Sequence, residues 1–337
     1  MTDFAWAIVG PGAIAKKFAE AINAMPGTYL HAVCGRDLDR ARNFANDCSG
    51  NGRIPFATTD LQALLTDERI DGIYVATPHS HHADVVRRCL NAGKPILCEK
   101  PLVPNLALAQ ELVSLAHERQ VFLMEALWTR FLPIYAVVGD WLKTQKIGKI
   151  HAIQSSFCFS CDYDANSRLF DPALAGGSLL DIGVYNLAIT RWVLEMALGA
   201  CPEPISLKAD GVLAPTGVDQ RVTGTFIFPE GVSSQFICAF DSTASNGMHI
   251  IGELGSISLP RDFSSATEAI LQLANAEQQV VNAPMLINGF EGEIEEAMRC
   301  IRAGWVESPQ MPHAETLAIV KWMDEFRCQL EVRYPFE

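Results

Sequence analysis

The chain predicts an α/β fold in two parts: a parallel sheet wound with helices, then an α+β domain built on a large, mostly antiparallel open sheet. Up to about residue 125, short apolar runs alternate with segments of helical period, joined by short turns. That grammar calls for parallel strands connected by right-handed crossovers. After about Leu127, apolar runs succeed one another with few helices between them, as antiparallel strands do. The length, 337 residues, is more than one hydrophobic core usually organises. Two domains are therefore expected, 1–125 and 126–337.

The elements follow in order. FAWAIVG (4–10) is a buried strand and AIAKKFAEAINAM (13–25) a helix. YLHAVCG (29–35) and DLDRARNFANDC (37–48) repeat the pair, as do IDGIYVAT (70–77) and HADVVRRCLNAG (82–93). KPILCE (94–99), NLALAQELVSLAHER (105–119) and VFLMEA (121–126) complete the first half as strand, helix and strand. In the second half IHAIQSSFCFS (150–160), ISLKADGVLA (205–214), DQRVTGTFIF (219–228), VSSQFICAFDS (232–242), GMHIIGELG (247–255) and SISLP (256–260) are strands. GFEGEIEEAMRCIRAG (289–304) and AETLAIVKWMDEFRCQL (314–330) are terminal helices.

Composition narrows the partners. With a formal charge of −13 and no basic stripe, the chain is not expected to bind nucleic acid. No membrane span is expected: apolar stretches such as 134–138 fall far short of the ~20 residues a spanning helix needs. The opening MTDFAWAIVG lacks the basic region of a signal peptide. Ten cysteines show no framework spacing, so free thiols in a reducing cytoplasm are expected. Cys158 and Cys161, in CFSC, lie on a strand where residues three apart face opposite ways, and no second CxxC accompanies them. No metal site is expected there.

Gly10-Pro11-Gly12-Ala13-Ile14-Ala15 fits G-x-G-x-x-G/A at the first strand–helix junction. The first glycine permits a tight turn, the second lets backbone approach a pyrophosphate, and the small third position lets the helix lie on the sheet. Helix N–H groups then face the phosphates without help from a lysine. Gly10, Gly12, Ala13 and Ile14 are thus candidate contacts of a dinucleotide in a Rossmann domain. The end of the second strand selects which dinucleotide. NAD sites usually carry an acidic residue ~20 positions past the glycine turn, on the ribose 2′-hydroxyl. Here VCGRDLDRAR puts Gly35 at that place, Arg36 after it and Arg40 a helical turn on. A small residue with a guanidinium suits a 2′-phosphate, so NADP(H) is favoured. Asp37 keeps NAD(H) open, as does an alternative in which Arg36 merely pairs with Asp37 or Asp39.

CEKP at 98–101, following a strand and the turn TPHSHH at 77–82, resembles the glucose–fructose oxidoreductase/inositol dehydrogenase/MocA (Gfo/Idh/MocA) family of nicotinamide oxidoreductases. The resemblance covers nearly the whole chain. LMEALWTRFLP (123–133), FDPALAGGSLLDIGVY (170–185) and NGFEGEIEEAMRCI (288–301) are similar to the branch of dimeric trans-1,2-dihydrodiol dehydrogenase and NADP-dependent D-xylose dehydrogenase. It implies that 1–125 binds NAD(P) and that 126–337 binds substrate and mediates oligomerisation, with substrate between the domains and a homodimer formed through the second sheet.

The resemblance further implies that Lys100 lies beside the nicotinamide and the reacting carbon. The residue reading agrees: a lysine at the carboxyl edge of a parallel strand stands where open α/β sheets bind ligands, and its cation can stabilise developing charge on oxygen. Glu99 is expected at the nicotinamide ribose. Thr77, Pro78, His79 and His82 are expected against the cofactor; the histidines of this turn lack the carboxylate or thiolate company of a zinc site, and adjacent His81 and His82 share a ligand face poorly. Asp181 and Tyr185, four apart on an implied helix, share one face. A phenol has a pKa of ~10, and a neighbouring cation such as Lys100 lowers it. Tyr185 is accordingly the candidate general acid/base and Asp181 the group orienting the substrate hydroxyl or the lysine. The alternative has Asp181 capping its helix and Tyr185 filling core. Trp128, Arg130 and Phe131 are expected near nicotinamide and substrate, or else in packing; Arg168 and Phe290 are further candidates for lining the substrate site. The expected activity is hydride transfer between NADP(H) and a CH–OH or C=O carbon of a small sugar, polyol or cyclic diol. Two rival readings are a non-catalytic dinucleotide sensor and a NAD-dependent inositol-type dehydrogenase.

Overall fold

A computed structural model describes residues 3–50 and 52–337. The chain divides into two compact units, Met1–Trp128 with Leu286–Val320, and Thr129–Met285 with Lys321–Glu337.

The first unit alternates β1 (Phe4–Val9), α1 (Ala13–Ala24), β2 (Thr28–Cys34), α2 (Leu38–Asp47), β3 (Phe56–Thr58), α3 (Leu61–Leu65), β4 (Gly72–Val75), α4 (His79–Asn91), β5 (Ile96–Glu99), α5 (Leu106–Arg119) and β6 (Leu123–Ala126). All six strands are parallel, in the order β3-β2-β1-β4-β5-β6. Every residue of β1, β4, β5 and β6 is buried, because helices cover both faces of such a sheet. Between β1 and α1 the core is aromatic: Phe18 stacks on Tyr74 at 3.8 Å, with Trp6 edge-on at 5.3 Å.

The second unit holds α6 (Pro133–Lys143), β7 (Ile150–Cys158), α7 (Val184–Leu198), β8 (Ser206–Leu213), β9 (Asp219–Ile227), β10 (Ser233–Ala239), β11 (Met248–Gly252), β12 (Gly255–Leu259), β13 (Glu268–Leu273) and β14 (Gln279–Asn282). The eight strands run in the order β14-β13-β12-β11-β7-β10-β9-β8. Every pair is antiparallel except β7 with β10. One face carries α7, pinned by Asn186 Nδ2 to Ser155 Oγ at 2.8 Å and by Thr190 to Ser234 at 3.1 Å. The opposite face is open over a depression of about 690 Å³ lined by Gln154, Ser156, Thr223, Gln235, Ile237 and His249.

One expectation needs correcting. The segment 286–320, which contains α8 (Glu291–Arg302) and the start of α9 (His313–Gln329), groups with the first unit and not with the rest of 126–337. Its anchors there are Asn288 Nδ2 on the Lys17 carbonyl at 2.8 Å, Leu123 N–H on the Val306 carbonyl at 2.9 Å, and His313 Nε2 on the Leu123 carbonyl at 2.8 Å. Such contacts join residues far apart in the chain, so no local pattern announces them. The helical run Pro172–Leu198 is long and apolar enough, by length and composition alone, to cross a membrane. Of its most apolar window 89% is buried inside the fold, as befits a core helix.

Candidate active site

The turn after β1 is built around Gly10. Its φ is 97°, and a Cβ there would stand 2.6 Å from the Ala76 carbonyl oxygen, at the end of β4. Only glycine fits both constraints. Gly12, the residue preceding α1, has no heavy atom within 4 Å of where a Cβ would be. No side chain caps α1, and none caps α4, which Pro78 precedes. By contrast Asp37, Asp60 and Asn105 cap α2, α3 and α5. Of α1–α5, the two without a side-chain cap follow β1 and β4, the neighbouring strands at which the sheet order reverses and where open α/β sheets bind ligands. Thr77 Oγ1, Ser80 Oγ and His81 Nε2, all beside α4's start, are buried without a hydrogen-bond partner among the described residues.

At the end of β2, Asp37 spends its carboxylate on the Arg40 N–H at 2.7 Å, capping α2. Asp39 pairs with Arg42 at 3.6 Å. Arg36 and Arg40 are exposed, and among the described residues no carboxylate pairs with either guanidinium. The alternative in which Arg36 is tied up by Asp37 or Asp39 is not what the structure contains.

The Lys100–Pro101 peptide is cis. Glu99 accepts the Tyr74 hydroxyl through one oxygen and the Lys100 N–H through the other, at 3.2 Å. Glu125 takes the Leu102 N–H at 2.9 Å. His82 is fully buried: Nε2 faces the Thr77 carbonyl at 2.8 Å, and Nδ1 faces those of Pro101 and Leu102 at 3.0 and 3.2 Å. Burial pushes its pKa down. With both nitrogens turned to carbonyls, His82 is a clip between the Thr77 turn and the Lys100 turn, and the expected direct cofactor contact is not open to it. His79 packs edge-on against it at 5.9 Å. Trp128 stacks on Phe290 at 5.2 Å. The loop before Phe290 is gathered by Glu291, whose carboxylate accepts N–H groups from Leu286, Ile287, Asn288 and Gly289 at 2.7–3.2 Å.

In the second unit, Asp181 lies within a π turn, Leu179–Gly183, that leads into α7 one residue before Tyr185. Such single π turns often mark functional sites. Asp181 and Tyr185 are 6% and 8% exposed. Arg168 Nη1 donates to Asp181 Oδ1 at 2.9 Å, and Tyr185 rests against Phe157 with ring centres 5.6 Å apart. Arg130 is buried and ion-paired with Glu195 of α7 at 2.9 Å; Phe131 is half-buried.

Comparison with known proteins decides the lineage. The profile described as "Oxidoreductase family, NAD-binding Rossmann fold" (Gfo/Idh/MocA) matches residues 4–127, and the Gfo/Idh/MocA C-terminal domain profile matches 135–258. The trans-1,2-dihydrobenzene-1,2-diol dehydrogenase of Xenopus tropicalis is 34% identical over 98% of this chain and 99% of its own. The chain belongs to the Gfo/Idh/MocA oxidoreductase family. The human dehydrogenase of the same name is 32% identical over 98% of each chain. Among solved structures, the 3-ketoreductase KijD10 of Actinomadura kijaniata, in complex with NADP and TDP-benzene, superposes with a TM-score of 0.82 at 25% identity, covering 97% of this chain and 98% of its own. The aldose–aldose oxidoreductase of Caulobacter crescentus, with a TM-score of 0.85 at 20% identity and 98% coverage of both chains, shares the fold.

As a family member the protein is an oxidoreductase that uses a nicotinamide dinucleotide. The residues present fit that group. Open space over Gly12, uncapped N–H groups on α1 and α4, and buried polar atoms on Thr77, Ser80 and His81 await a ligand at one sheet edge. The structure brings Gly10, Gly12, Ala13, Ile14, Thr77 and Pro78 to that edge, with Gly35, Arg36 and Arg40 at the end of β2. In the family's second domain it brings Asp181 to Arg168 and leaves Tyr185 on the same helical run. Sequence reasoning missed Glu125 and Glu293. Glu293 is fully buried with neither oxygen hydrogen-bonded among the described residues, and burial, reinforced by the Glu99 charge, pushes its carboxyl well up. Both read in sequence as ordinary acidic positions.

Proposed function

We propose that this oxidoreductase transfers hydride between NADP(H) and a carbon bearing hydroxyl or carbonyl in a small sugar, polyol or cyclic diol, with Lys100 and Tyr185 as its catalytic pair. The observation that carries the catalytic half is the buried Asp181–Tyr185 pair, four residues apart across a π turn, with Arg168 on Asp181. The full-length likeness to dihydrodiol dehydrogenases supports the substrate class. Arg36 and Arg40, without carboxylate partners while Asp37 caps α2, support NADP over NAD: a 2′-phosphate offers oxygens to both guanidinium groups. The bound nicotinamide supplies or receives the hydride. The Tyr185 phenol takes the alcohol proton in oxidation and returns it in reduction. Lys100 favours the phenolate by its charge and steadies charge on the substrate oxygen. Asp181, oriented by Arg168, holds the reacting hydroxyl. Glu99 bonds the nicotinamide ribose, and Trp128, Phe131 and Phe290 supply apolar walls.

Residues 1–125 then form the dinucleotide-binding domain, to which 286–320 adds supporting structure, and the rest forms the substrate domain. The protein works as a homodimer assembled through the open face of its eight-stranded sheet. Its ten free cysteines support a reducing, cytoplasmic setting.

The decisive experiment replaces Tyr185→Phe and Lys100→Met and measures turnover with NADP against a panel of aldoses, polyols and cyclic diols. Each change should lower kcat by roughly 10²–10⁴-fold, the usual worth of a positioned acid/base, while NADPH still binds. Near-normal turnover in either variant removes that residue from the mechanism.

A further inference from the structure

Upstream of Asp181 the backbone makes an unusual passage. Gly177 sits at φ 123°, and a Cβ on it would collide with Asp219 Oδ1; a Cβ on Gly176 would stand 2.7 Å from the Leu169 carbonyl oxygen. Asp219, the first residue of β9, is completely buried. Its Oδ2 accepts the Leu179 N–H at 2.6 Å and the Ser178 hydroxyl at 2.9 Å. Its Oδ1 has no hydrogen-bond partner among the described residues. A second anchor comes from the far end of the chain. The Tyr334 hydroxyl, buried, donates to the Gly176 carbonyl at 2.7 Å. Tyr334 is itself fixed: the Arg327 guanidinium lies over its ring at 4.7 Å and grips Glu337 through two hydrogen bonds of 3.0 and 2.8 Å.

We propose that Asp219 and Tyr334 are positioning residues that pin the backbone of 176–179 and thereby set where Asp181 and Tyr185 stand. The inference rests on the hydride-transfer reading for its catalytic consequence. An ordinary helix cap would not need this arrangement. Asp219 holds the first N–H of a π turn, Leu179–Gly183, which has one residue more than an α turn. Relaxation to α geometry would slip Asp181 by one residue against α7, about 100° around the axis. A buried carboxyl at that point carries a cost, visible in a pKa that burial pushes up to about 6. Selection for stability alone would favour an apolar residue in its place. The Leu179 and Ser178 hydrogen bonds show what the charge is held for, and Tyr334 secures the one carbonyl just before the left-handed Gly177.

Two variants test this in the full-length protein. Tyr334→Phe removes one hydroxyl and keeps the ring on Arg327; Asp219→Asn keeps one oxygen for Leu179. Each should lower kcat about 10-fold, in line with the steep penalty for sub-ångström misplacement, with KM for NADP unchanged. The alkaline rise of the kcat profile should move toward the ordinary phenol value of ~10. Amide hydrogen exchange over 177–185 should quicken in both. Unaltered exchange overturns the anchoring outright. Wild-type kcat and pH profile in both, while Tyr185→Phe abolishes turnover, overturns its catalytic consequence. Turnover that survives Tyr185→Phe counts against the acid/base role of Tyr185 instead, and exchange still decides the anchoring.

Discussion

The two sheets of this protein solve the same problem differently. The parallel sheet is covered on both faces, so β1, β4, β5 and β6 are buried from end to end. Nothing but the strand ends is left to meet a ligand, and the candidate chemistry gathers there: uncapped helix N-termini, a glycine turn and the Lys100 turn. The antiparallel sheet is covered on one face, so its strands alternate; β10 alternates buried Ser234, Phe236 and Cys238 with more open Ser233, Gln235 and Ile237. Its candidate chemistry rides on a helical run laid across the covered face, at Asp181 and Tyr185. A sheet buried on both sides offers its edge, and one buried on a single side offers both a helix layer and a free surface.

Gly10 and Gly12 offer the largest effects by which that contrast can be broken. Gly10→Ala meets both a left-handed φ and the Ala76 carbonyl 2.6 Å away. It should cost about 1–3 kcal/mol of stability, the usual toll of a forced backbone conformation, and abolish NADPH binding. Gly12→Ala has open space for its methyl and an ordinary φ of −105°. Thermal unfolding should stay within about 0.5 kcal/mol of wild type, while NADPH affinity falls by roughly 10–100-fold because the methyl occupies the pyrophosphate approach. Equal stability losses in the two variants would mean that Gly12 serves the fold and not the ligand. Melting curves and fluorescence titration with NADPH read both quantities.

The same contrast explains what the sequence disclosed. Continuous runs such as FAWAIV and ILCE, alternating with helical segments, read as doubly covered strands, and the glycine turn at their edge is local, so the dinucleotide half is legible apart from the short β3 and α3. In the other half, EAILQL and QVVN, which form β13 and β14, give short and ambiguous patterns, and the run that forms α6 gives no clear signal of its own. The roles that escaped are those made by distant pairings. His82 reads as one more polar residue of a histidine-rich turn until the carbonyls of Pro101 and Leu102, nineteen and twenty residues on, arrive at its ring. Asp219 looks like the polar start of a strand, and its partners Ser178 and Leu179 lie 41 and 40 residues upstream. No spacing rule encodes such contacts.

A smaller effect sharpens the account of the parallel sheet. Arg36→Ala removes one guanidinium from the end of β2 and leaves the Asp37 cap on α2 intact. The NADP-over-NAD ratio of kcat/KM should fall about 10-fold, corresponding to a single charge-assisted hydrogen bond to phosphate. Arg36→Ala combined with Arg40→Ala should bring the ratio near parity. A ratio that does not move would show that the 2′-phosphate is held elsewhere along the sheet edge.

The smallest effect on stability, and the sharpest test of the free surface, comes from the antiparallel side. The 690 Å³ depression on the open face has no Asp, Glu, Lys or Arg among its lining residues, in a chain that is 19% charged with a net charge of −13. Two copies of so acidic a protein repel one another over most of their surfaces, and an uncharged face is where that repulsion is weakest. Depletion of charge at the centre of a patch is also the compositional mark of an interface core. Ile237 stands on this face, with Ser156 and Thr223 as its neighbours across the strands. In a two-fold dimer the same patch serves both subunits, so Ile237→Lys would enter twice, placing like charges near the axis. Within one chain the new lysine projects from an open sheet face and should change protomer stability by no more than about 0.5 kcal/mol. Sedimentation at micromolar concentration should therefore give a dimer for the wild type and a monomer for Ile237→Lys, each with the same circular dichroism. A variant that stays dimeric would move the interface off this face, and a monomeric wild type would leave the open sheet without a second copy to cover it.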